Sequence, residues 1–232
     1  MKVAVINFSG NVGKSTVAKH LLQNRIKDAE FVAVESINSD EGDGDQVRGK
    51  QFGALQEQLM MLDAAVVDVG ASNVEDFIKL MQQYRGSHED FDLYVVPVVK
   101  ESKQMRDTIA TIQALKKMGV PAKKIRVVFN KVESDDVLEE AFYPIFAFHE
   151  GEKAFTLKTG AVIEYSDLFQ RLRAMNMTVD ELLADTTDWK AKLKNPANPE
   201  EKAQAANMIS MRRLAASGKE NLDAVYAAVV AK

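Results

Sequence analysis

The feature that most constrains the fold is a glycine-containing loop between a β-rich stretch and a helical pattern, close to the start of the chain. Residues 3–8 lead directly into residues 9–16, which read Ser-Gly-Asn-Val-Gly-Lys-Ser-Thr, and apolar residues at helical spacing follow. Phosphate oxygens need closely spaced hydrogen-bond donors, and a loop can wrap around them only where side chains are absent. The order strand, glycine loop, helix therefore predicts a phosphate-binding loop.

The residue types after the glycines fit nucleotide phosphates. The amino end of the following helix adds partial positive charge. Lys14, which we place on a surface loop and not in the core, would reach the terminal phosphates, and the Ser15 hydroxyl would ligate a bridging Mg²⁺ ion. A chance turn would explain one glycine but not the lysine and hydroxyl residue that follow. The predicted nucleotide contacts are Gly10, Asn11, Val12, Gly13, Lys14, Ser15 and Thr16, and Lys14 is also a predicted catalytic residue.

Short β-branched runs alternate with helix-patterned stretches along the first half of the chain. The predicted strands are residues 3–8, 31–37, 64–69, 93–99 and 125–129, and the predicted helices are 15–24, 51–62, 74–85 and 103–118. The strand runs are almost continuously apolar, as in parallel strands that helices cover on both faces. The sequence therefore predicts an α/β fold with a doubly wound, mostly parallel sheet, whose ligand crevice lies beyond the carboxyl ends of the strands.

The second half of the chain is mostly helical in pattern. We expect a nucleotide-binding core over residues 1–165 and a helical C-terminal extension over residues 166–232, packed on or beside the core. Thr178 and Glu181 have the spacing of a capping box, Asn198 with Pro199 starts another helix, and Ser217 starts the last one. The apolar face of this last helix is expected to pack on the core.

Composition excludes several classes of protein. With no cysteine among 232 residues, the chain has no disulfide and no thiolate metal site, and a reducing cytoplasm is the expected compartment. The longest apolar runs are strand-sized, so no transmembrane segment is expected. A net charge of -4 argues against a wholly basic nucleic-acid surface. The three histidines have no ligand spacing, and no structural metal site is expected.

A carboxylate follows the third predicted strand. Asp68 ends an apolar run and is a candidate metal and catalytic residue, because a carboxylate there can hold a water of the Mg²⁺ ion. Gly70 could place a backbone amide near the γ-phosphate. The alternative is that Asp68 only caps the turn after the strand.

The glycine loop resembles the deviant P-loop of the ParA/MinD family of ATPases, whose consensus reads Lys-Gly-Gly-x-Gly-Lys-Thr after a strand. The matching positions are Asn7, Gly10, Val12, Gly13, Lys14, Ser15 and Thr16. Within that family, residues 1–133 resemble plasmid stability proteins of the StbB type. Two positions depart from the pattern: Ser9 stands where the family's signature lysine reaches across a dimer, and Asn11 replaces a glycine.

The resemblance implies further site residues. Asn130, after the fifth predicted strand, corresponds to the family's adenine contact. Because Glu133 stands where GTPases have a guanine-reading aspartate, ATP is favoured over GTP. Glu35 aligns with the first acid that positions the attacking water, but Ile37 occupies the second position, and Asp40 lies in an acidic loop. That loop, residues 39–45, is either a switch loop or a plain linker.

The resemblance also implies a function. ATP and Mg²⁺ are the expected cofactors, and a slow ATPase would act as a nucleotide-dependent switch in plasmid partition, stability or conjugation. A nucleotide-dependent homodimer and a plasmid-encoded partner protein are the expected partners. Basic residues of the second half, among them Lys190 and Arg213, are either solvated or contact DNA. Two alternatives remain: an ATP-binding adaptor that barely hydrolyses, and a ligase of the dethiobiotin-synthetase kind.

Overall fold

The computed structural model describes residues 1–34 and 44–231, and the side chains of residues 51–231 within the second range. Three of the positions discussed above, Glu35, Ile37 and Asp40, lie outside the described residues. The same holds for residues 39–43 of the acidic loop, so the expectations about these positions stay predictions. Gly44 and Asp45, which the sequence placed in that loop, are helical.

Six parallel strands form one sheet in the order β2-β3-β1-β4-β5-β6. The strands are β1 (Lys2–Val5), β2 (Glu30–Val34), β3 (Ala65–Val69), β4 (Leu93–Val98), β5 (Ile125–Val132) and β6 (Val162–Glu164). The strand order reverses at β1, because β3 lies on one side of it and β4 on the other. Residues that follow β1 therefore lie at a topological switch point, where ligands bind in open α/β sheets. The predicted doubly wound parallel fold is confirmed.

Ten helices accompany the sheet in the described part of the chain. They are α1 (Lys14–Thr16, which continues as a π-helical segment Val17–Gln23), α2 (Gly44–Met61), α3 (Val74–Gln83), α4 (Ser102–Met118), α5 (Leu138–Ala141), α6 (Tyr143–Glu152), α7 (Leu168–Met175), α8 (Val179–Ala184), α9 (Trp189–Lys194) and α10 (Pro199–Val230). In the part of the chain that the structure describes, no helix has both the length and the apolar character needed to cross a membrane.

Both faces of the sheet are buried, which explains why its strands lack polar alternation. On one face, Ala4 and Val67 belong to a core that includes Phe52 of α2, Phe77 of α3 and Ile112 of α4. The alternate strand residues, such as Val3, Val66 and Val128, are equally buried on the opposite face. Helix α1 covers that second face with Val17, Ala18, Leu21 and Leu22, all of them buried.

The chain divides into two compact units. The first comprises Met1–Tyr165 together with Val225–Lys232, and the second comprises Ser166–Ala224. The end of α10 thus belongs to the first unit, whereas the sequence-based division placed it in the extension. Leu222, Val225 and Val229 are buried, as the apolar face of this helix predicted.

Two predicted helix starts in the second unit are confirmed. Thr178 and Glu181 form a reciprocal capping box at the start of α8, and the Asn198 side chain accepts a hydrogen bond of 2.7 Å from the Glu201 amide at the start of α10. The predicted start at Ser217 is wrong, because α10 runs through this position. Gly218 packs closely there, since a Cβ atom would lie 2.5 Å from Leu168 Cδ2 and the leucine side chain would have to move.

The sequence also missed β6. This strand has three residues and begins outside the regular alternation of strands and helices. Its pairing with β5 shifts register between Asn130 and Val132, and Lys131 between them has a positive φ of 58°. The irregularity places a bulge near the carboxyl end of β5, on the same side of the sheet as the glycine loop.

A buried arginine joins β5 to the end of α10. Arg126 donates through Nε to the Val229 carbonyl at 2.9 Å and through Nη2 to the Ala231 carbonyl at 3.2 Å. Its Nη1 donates to the carbonyl of Lys123. Burial lowers the pKa of this guanidinium, yet arginine keeps its charge in proteins. A cation at the carboxyl end of a helix complements the orphan carbonyls and the helix dipole there.

Candidate functional site

The glycine loop lies between β1 and α1. Asn11 has a φ of 60° and Gly13 a φ of 90°, so two residues of the loop have left-handed backbone conformations before α1 begins at Lys14. Gly13 is needed for a second reason, because a Cβ atom there would lie 2.1 Å from the Asn130 amide nitrogen. Gly10 has open space around it. The loop is thus shaped for close approach of a ligand to its backbone amides.

Lys14 is buried, which corrects the expectation that it belongs to a surface loop and not to the interior. The residue is 8% exposed, and its ammonium donates to the carbonyls of Asn7 at 3.1 Å and Ser9 at 2.7 Å. The reason is that the side chain reaches back to these two backbone acceptors at the start of the loop. The ammonium is therefore held inside the loop by backbone groups.

The environment of Lys14 lowers the pKa of its ammonium group. Burial lowers the pKa of Lys14 to about 8, and the nearby carboxylate of Asp68 opposes this by favouring the charged form. Lys14 is a buried ammonium whose hydrogen-bond acceptors are neutral and which has one carboxylate nearby. Additional negative charge beside it would stabilise its charged form. Triphosphate oxygens would supply that charge.

This pKa predicts how ATP affinity depends on pH. Bound phosphates raise the pKa of Lys14, so ATP binds to the protonated form and binding takes up a proton above pH 8. Affinity is expected to be level below that pH and to fall by up to roughly tenfold per unit above it. Calorimetry between about pH 7.5 and about pH 9.5, in buffers of different ionisation enthalpy, measures both effects. Level affinity with no proton uptake would contradict this account of Lys14.

Asp68 is held where the sequence placed it, at the end of β3. It pairs in register with Val5 of β1, immediately before the loop, and it is 6% exposed. Its electrostatic coupling to Lys14 brings together two of the predicted site residues. Ser15, the next residue along α1, is half-buried. A hydroxyl and one carboxylate beside a phosphate site are ligands that suit Mg²⁺, which keeps several waters and shares substrate oxygens.

The protein alone supplies few ligands for a metal ion. Among the described residues, no group of three or more histidine, aspartate or glutamate side chains is arranged to hold an ion. A metal here would therefore depend on ligand phosphates for its remaining coordination. The residues that could hold it are Ser15 and Asp68.

Asn130 supports the loop from β5. It is buried, and its amide nitrogen donates to the Val12 carbonyl at 2.9 Å. Lys131 lies beside it, with its ammonium 3.5 Å from the Asn11 carbonyl. These contacts fix the middle of the loop to the strand that was expected to read the base. The adenine contact itself stays a prediction.

The first residues of the loop are tied to α4, which the sequence did not indicate. The Asn7 amide nitrogen donates to Thr108 Oγ1 at 2.7 Å and to the Pro97 carbonyl at 2.9 Å, and its oxygen accepts from the Ser9 amide at 2.8 Å. The Phe8 amide donates to Thr111 Oγ1 at 3.0 Å. Two buried threonines on the apolar face of α4, between Met105 and Ile112, are the signal that could have revealed this contact.

Ser9 occupies a closed environment. It is 2% exposed, and its hydroxyl is among the groups that lower the pKa of Asp107 on α4, after the hydrogen bond from Lys103. Lys103 makes an ion pair with the same carboxylate at 2.9 Å, and Lys100 makes one with Asp136 at 3.0 Å. These two lysines after β4 are thus engaged in intramolecular ion pairs at the edge of the sheet.

Some of the basic residues of the second unit are also engaged. Arg171 hydrogen-bonds to Asn207 at 2.6 Å, Lys192 lies 3.4 Å from a Glu201 carboxylate oxygen, and Arg212 donates to the Thr187 carbonyl at 3.3 Å. Lys190 and Lys194 on α9 are exposed. Short charged helices with internal partners of this kind are common on solvated surfaces, and the structure adds no support for a DNA surface.

Comparisons with known proteins identify the fold. No protein-family model and no curated protein matches the sequence. Among solved structures, the chain is similar to the MinD cell division protein of Aquifex aeolicus, with 14% identity, 90% of this chain and 96% of that chain covered, and a TM-score of 0.53. It is also similar to apo McdA of Cyanothece, with 13% identity, coverage of 90% and 98%, and a TM-score of 0.52.

A third structure contains the nucleotide. The chain is similar to an ATP complex of a McdA variant from Cyanothece, with 14% identity, coverage of 92% and 96%, and a TM-score of 0.50. These likenesses extend over almost the whole of each chain. They establish that this chain has the fold of these P-loop proteins.

Proposed function

We propose that this chain is an ATPase of the ParA/MinD type that acts as a nucleotide-dependent switch. The observation that carries the proposal is the buried Lys14 ammonium, held by two loop carbonyls beside Asp68 at the switch point of a parallel sheet. A desolvated cation with neutral acceptors is costly unless an anion joins it. The fold, which is shared with an ATP-bound protein, favours a nucleotide as that anion.

Each residue of the site makes a different contact with ATP or Mg²⁺. Backbone amides of Gly10 to Thr16 surround the phosphates, and Lys14 turns from the carbonyls of Asn7 and Ser9 to the terminal phosphates. Ser15 and Asp68 would hold Mg²⁺, which neutralises charge on the transferring phosphate. Asn130 keeps the loop in place through Val12 and is the residue that we expect to contact the adenine. Glu133 is one methylene longer than the guanine-reading aspartate of GTPases, which favours ATP over GTP.

Hydrolysis is expected to be slow in the isolated chain. Ser9 cannot neutralise phosphate charge across a dimer, and it is buried against Asp107. The cations after β4, Lys100 and Lys103, have intramolecular partners. Cations supplied in trans contribute roughly 10³ to 10⁵ in rate where they act. The output of such a protein is a change of partner affinity, with a homodimer and a plasmid-encoded protein as the expected partners.

The cellular role that we propose is plasmid partition, stability or conjugation in the cytoplasm, by resemblance to the StbB type. The competing function is an ATP-binding adaptor that barely hydrolyses ATP, which the buried Ser9 favours. A DNA surface on α9 and a ligase activity have no comparable observation behind them. The adaptor and the switch differ in turnover, so one assay separates them.

The test is Mg²⁺-dependent phosphate release from ATP, measured with and without a candidate partner protein. The switch predicts a slow basal rate that the partner raises, and tighter binding of ATP than of GTP in a competition assay. A partner that binds the ATP form without changing the rate would support the adaptor. Absence of ATP binding, or equal displacement by GTP, would contradict the assignment of the loop or of Asn130.

A further inference from the structure

The backbone amide expected to meet the γ-phosphate makes a hydrogen bond to a backbone carbonyl. The Gly70 N–H donates to the carbonyl of Val34, the last residue of β2, at 3.1 Å. Gly70 can therefore contact a γ-phosphate only by leaving that carbonyl. Val34 is buried, so a carbonyl abandoned there would lose its hydrogen bond without gaining water.

A second donor holds the same carbonyl. Asn73, which follows Gly70 in a short 3-10 turn, donates from its amide nitrogen to the Val34 carbonyl at 3.0 Å. Its own backbone amide donates to the Gly70 carbonyl at 2.9 Å. A carbonyl oxygen has two lone pairs, so Val34 accepts from both donors at once. It stays satisfied when one of them leaves.

A contribution to folding stability does not explain why an asparagine occupies position 73. It is 1% exposed, and within the described part of the chain its Oδ1 has no hydrogen-bond partner. A buried unpaired acceptor costs free energy, and an apolar residue of similar shape would avoid that cost. The packing is also tight, because a Cβ atom on Gly70 would lie 3.1 Å from the Asn73 amide nitrogen and 3.2 Å from the Val34 oxygen.

We propose that Asn73 is a positioning residue that lets the protein distinguish ATP from ADP. By holding the Val34 carbonyl, Asn73 frees the Gly70 amide to turn to a γ-phosphate without leaving a buried carbonyl unpaired. ADP has no γ-phosphate and does not require this exchange. The inference rests on the proposed function, since it assigns a residue to the recognition of the third phosphate.

The test compares ATPγS and ADP affinities of wild type, Asn73→Ala and the similarly shaped Asn73→Leu by calorimetry. Without the second donor, release of Gly70 strands the Val34 carbonyl, so the preference for ATPγS over ADP should fall roughly tenfold. ADP affinity should change by less than about twofold. The matched control is Ser87→Ala, which removes another buried side-chain donor, to the Met81 carbonyl, at the far end of α3.

The outcomes separate the inference from the proposed function. A preference unchanged in both Asn73 variants, with nucleotide still bound, overturns the role of Asn73 and leaves the ATPase proposal standing. Wild type that binds neither nucleotide overturns both. Should both variants fail to fold, hydrogen exchange of the Gly70 backbone amide in wild type tests the inference. Protection of this amide should change when ATPγS binds and should not change when ADP binds. Identical protection in the two complexes overturns the inference.

Discussion

Replacing Lys14 with alanine is expected to weaken ATP binding by at least about 100-fold while the protein still folds. The ammonium makes charge-assisted hydrogen bonds to the phosphates, each worth about 1.5–3 kcal/mol. Its hydrogen-bond partners, the carbonyls of Asn7 and Ser9, are neutral backbone groups. Removal of a desolvated cation offsets the loss of these contacts, but the buried Asp68 carboxylate loses a nearby positive charge. We therefore expect the free energy of unfolding to fall by roughly 1–3 kcal/mol.

The matched control is another lysine of the same helical segment. Lys19 is exposed and lies over the Phe31 ring at 5.2 Å, away from the loop. Lys19→Ala should therefore leave ATP affinity within about twofold of wild type. Calorimetry gives both affinities, and circular dichroism confirms the fold. Equal ATP affinities in folded Lys14→Ala and wild type would contradict the assignment of this segment as the phosphate-binding loop.

Replacing Arg126 with alanine should have the opposite profile, with a large loss of stability and no direct effect on ATP. Three buried or part-buried hydrogen bonds from one guanidinium are lost, two of them to the last carbonyls around α10. We expect the free energy of unfolding to fall by roughly 3 kcal/mol, because buried carbonyls lose charged donors. Arg126 lies at the start of β5, whereas the glycine loop lies beyond the carboxyl ends of the strands.

Urea unfolding measures this effect, with Arg85→Ala as the control. Arg85 is an exposed arginine after α3, and its removal should change the free energy of unfolding by less than about 0.5 kcal/mol. A loss below about 1 kcal/mol in Arg126→Ala would mean that water replaces the guanidinium and that the end of α10 is held by its apolar residues alone. Val225 and Val229 would then carry the attachment.

The central architecture was predictable because local pattern and packing agree. Continuous apolar runs such as that of β3 occur where helices cover both faces of a sheet, and all five of its residues are buried. Strand ends were less predictable, since β1 stops at Val5 before the loop and β5 continues to Val132. The end of a strand depends on its neighbours in the sheet, and β6 supplied an unforeseen neighbour for β5.

The site was predictable in its residues and less so in its contacts. Lys14 and Asp68 are adjacent because parallel neighbouring strands end at the same edge. Their burial could not be read from the sequence, since it depends on how the loop folds over α1. The support from Thr108 and the exchange of donors at Val34 depend on distant segments meeting at one edge, a relation that spacing along the chain does not contain.

A crystal structure of the protein grown with Mg²⁺ and ATPγS would show directly whether the glycine loop binds the nucleotide. We expect the phosphates inside the loop of residues 10–16, with the Lys14 ammonium moved from the carbonyls of Asn7 and Ser9 to phosphate oxygens. We also expect the metal at Ser15 with Asp68 beside it, and two chains facing each other across the nucleotides. A nucleotide bound elsewhere, with Lys14 still on its two carbonyls, would contradict the assignment of the loop.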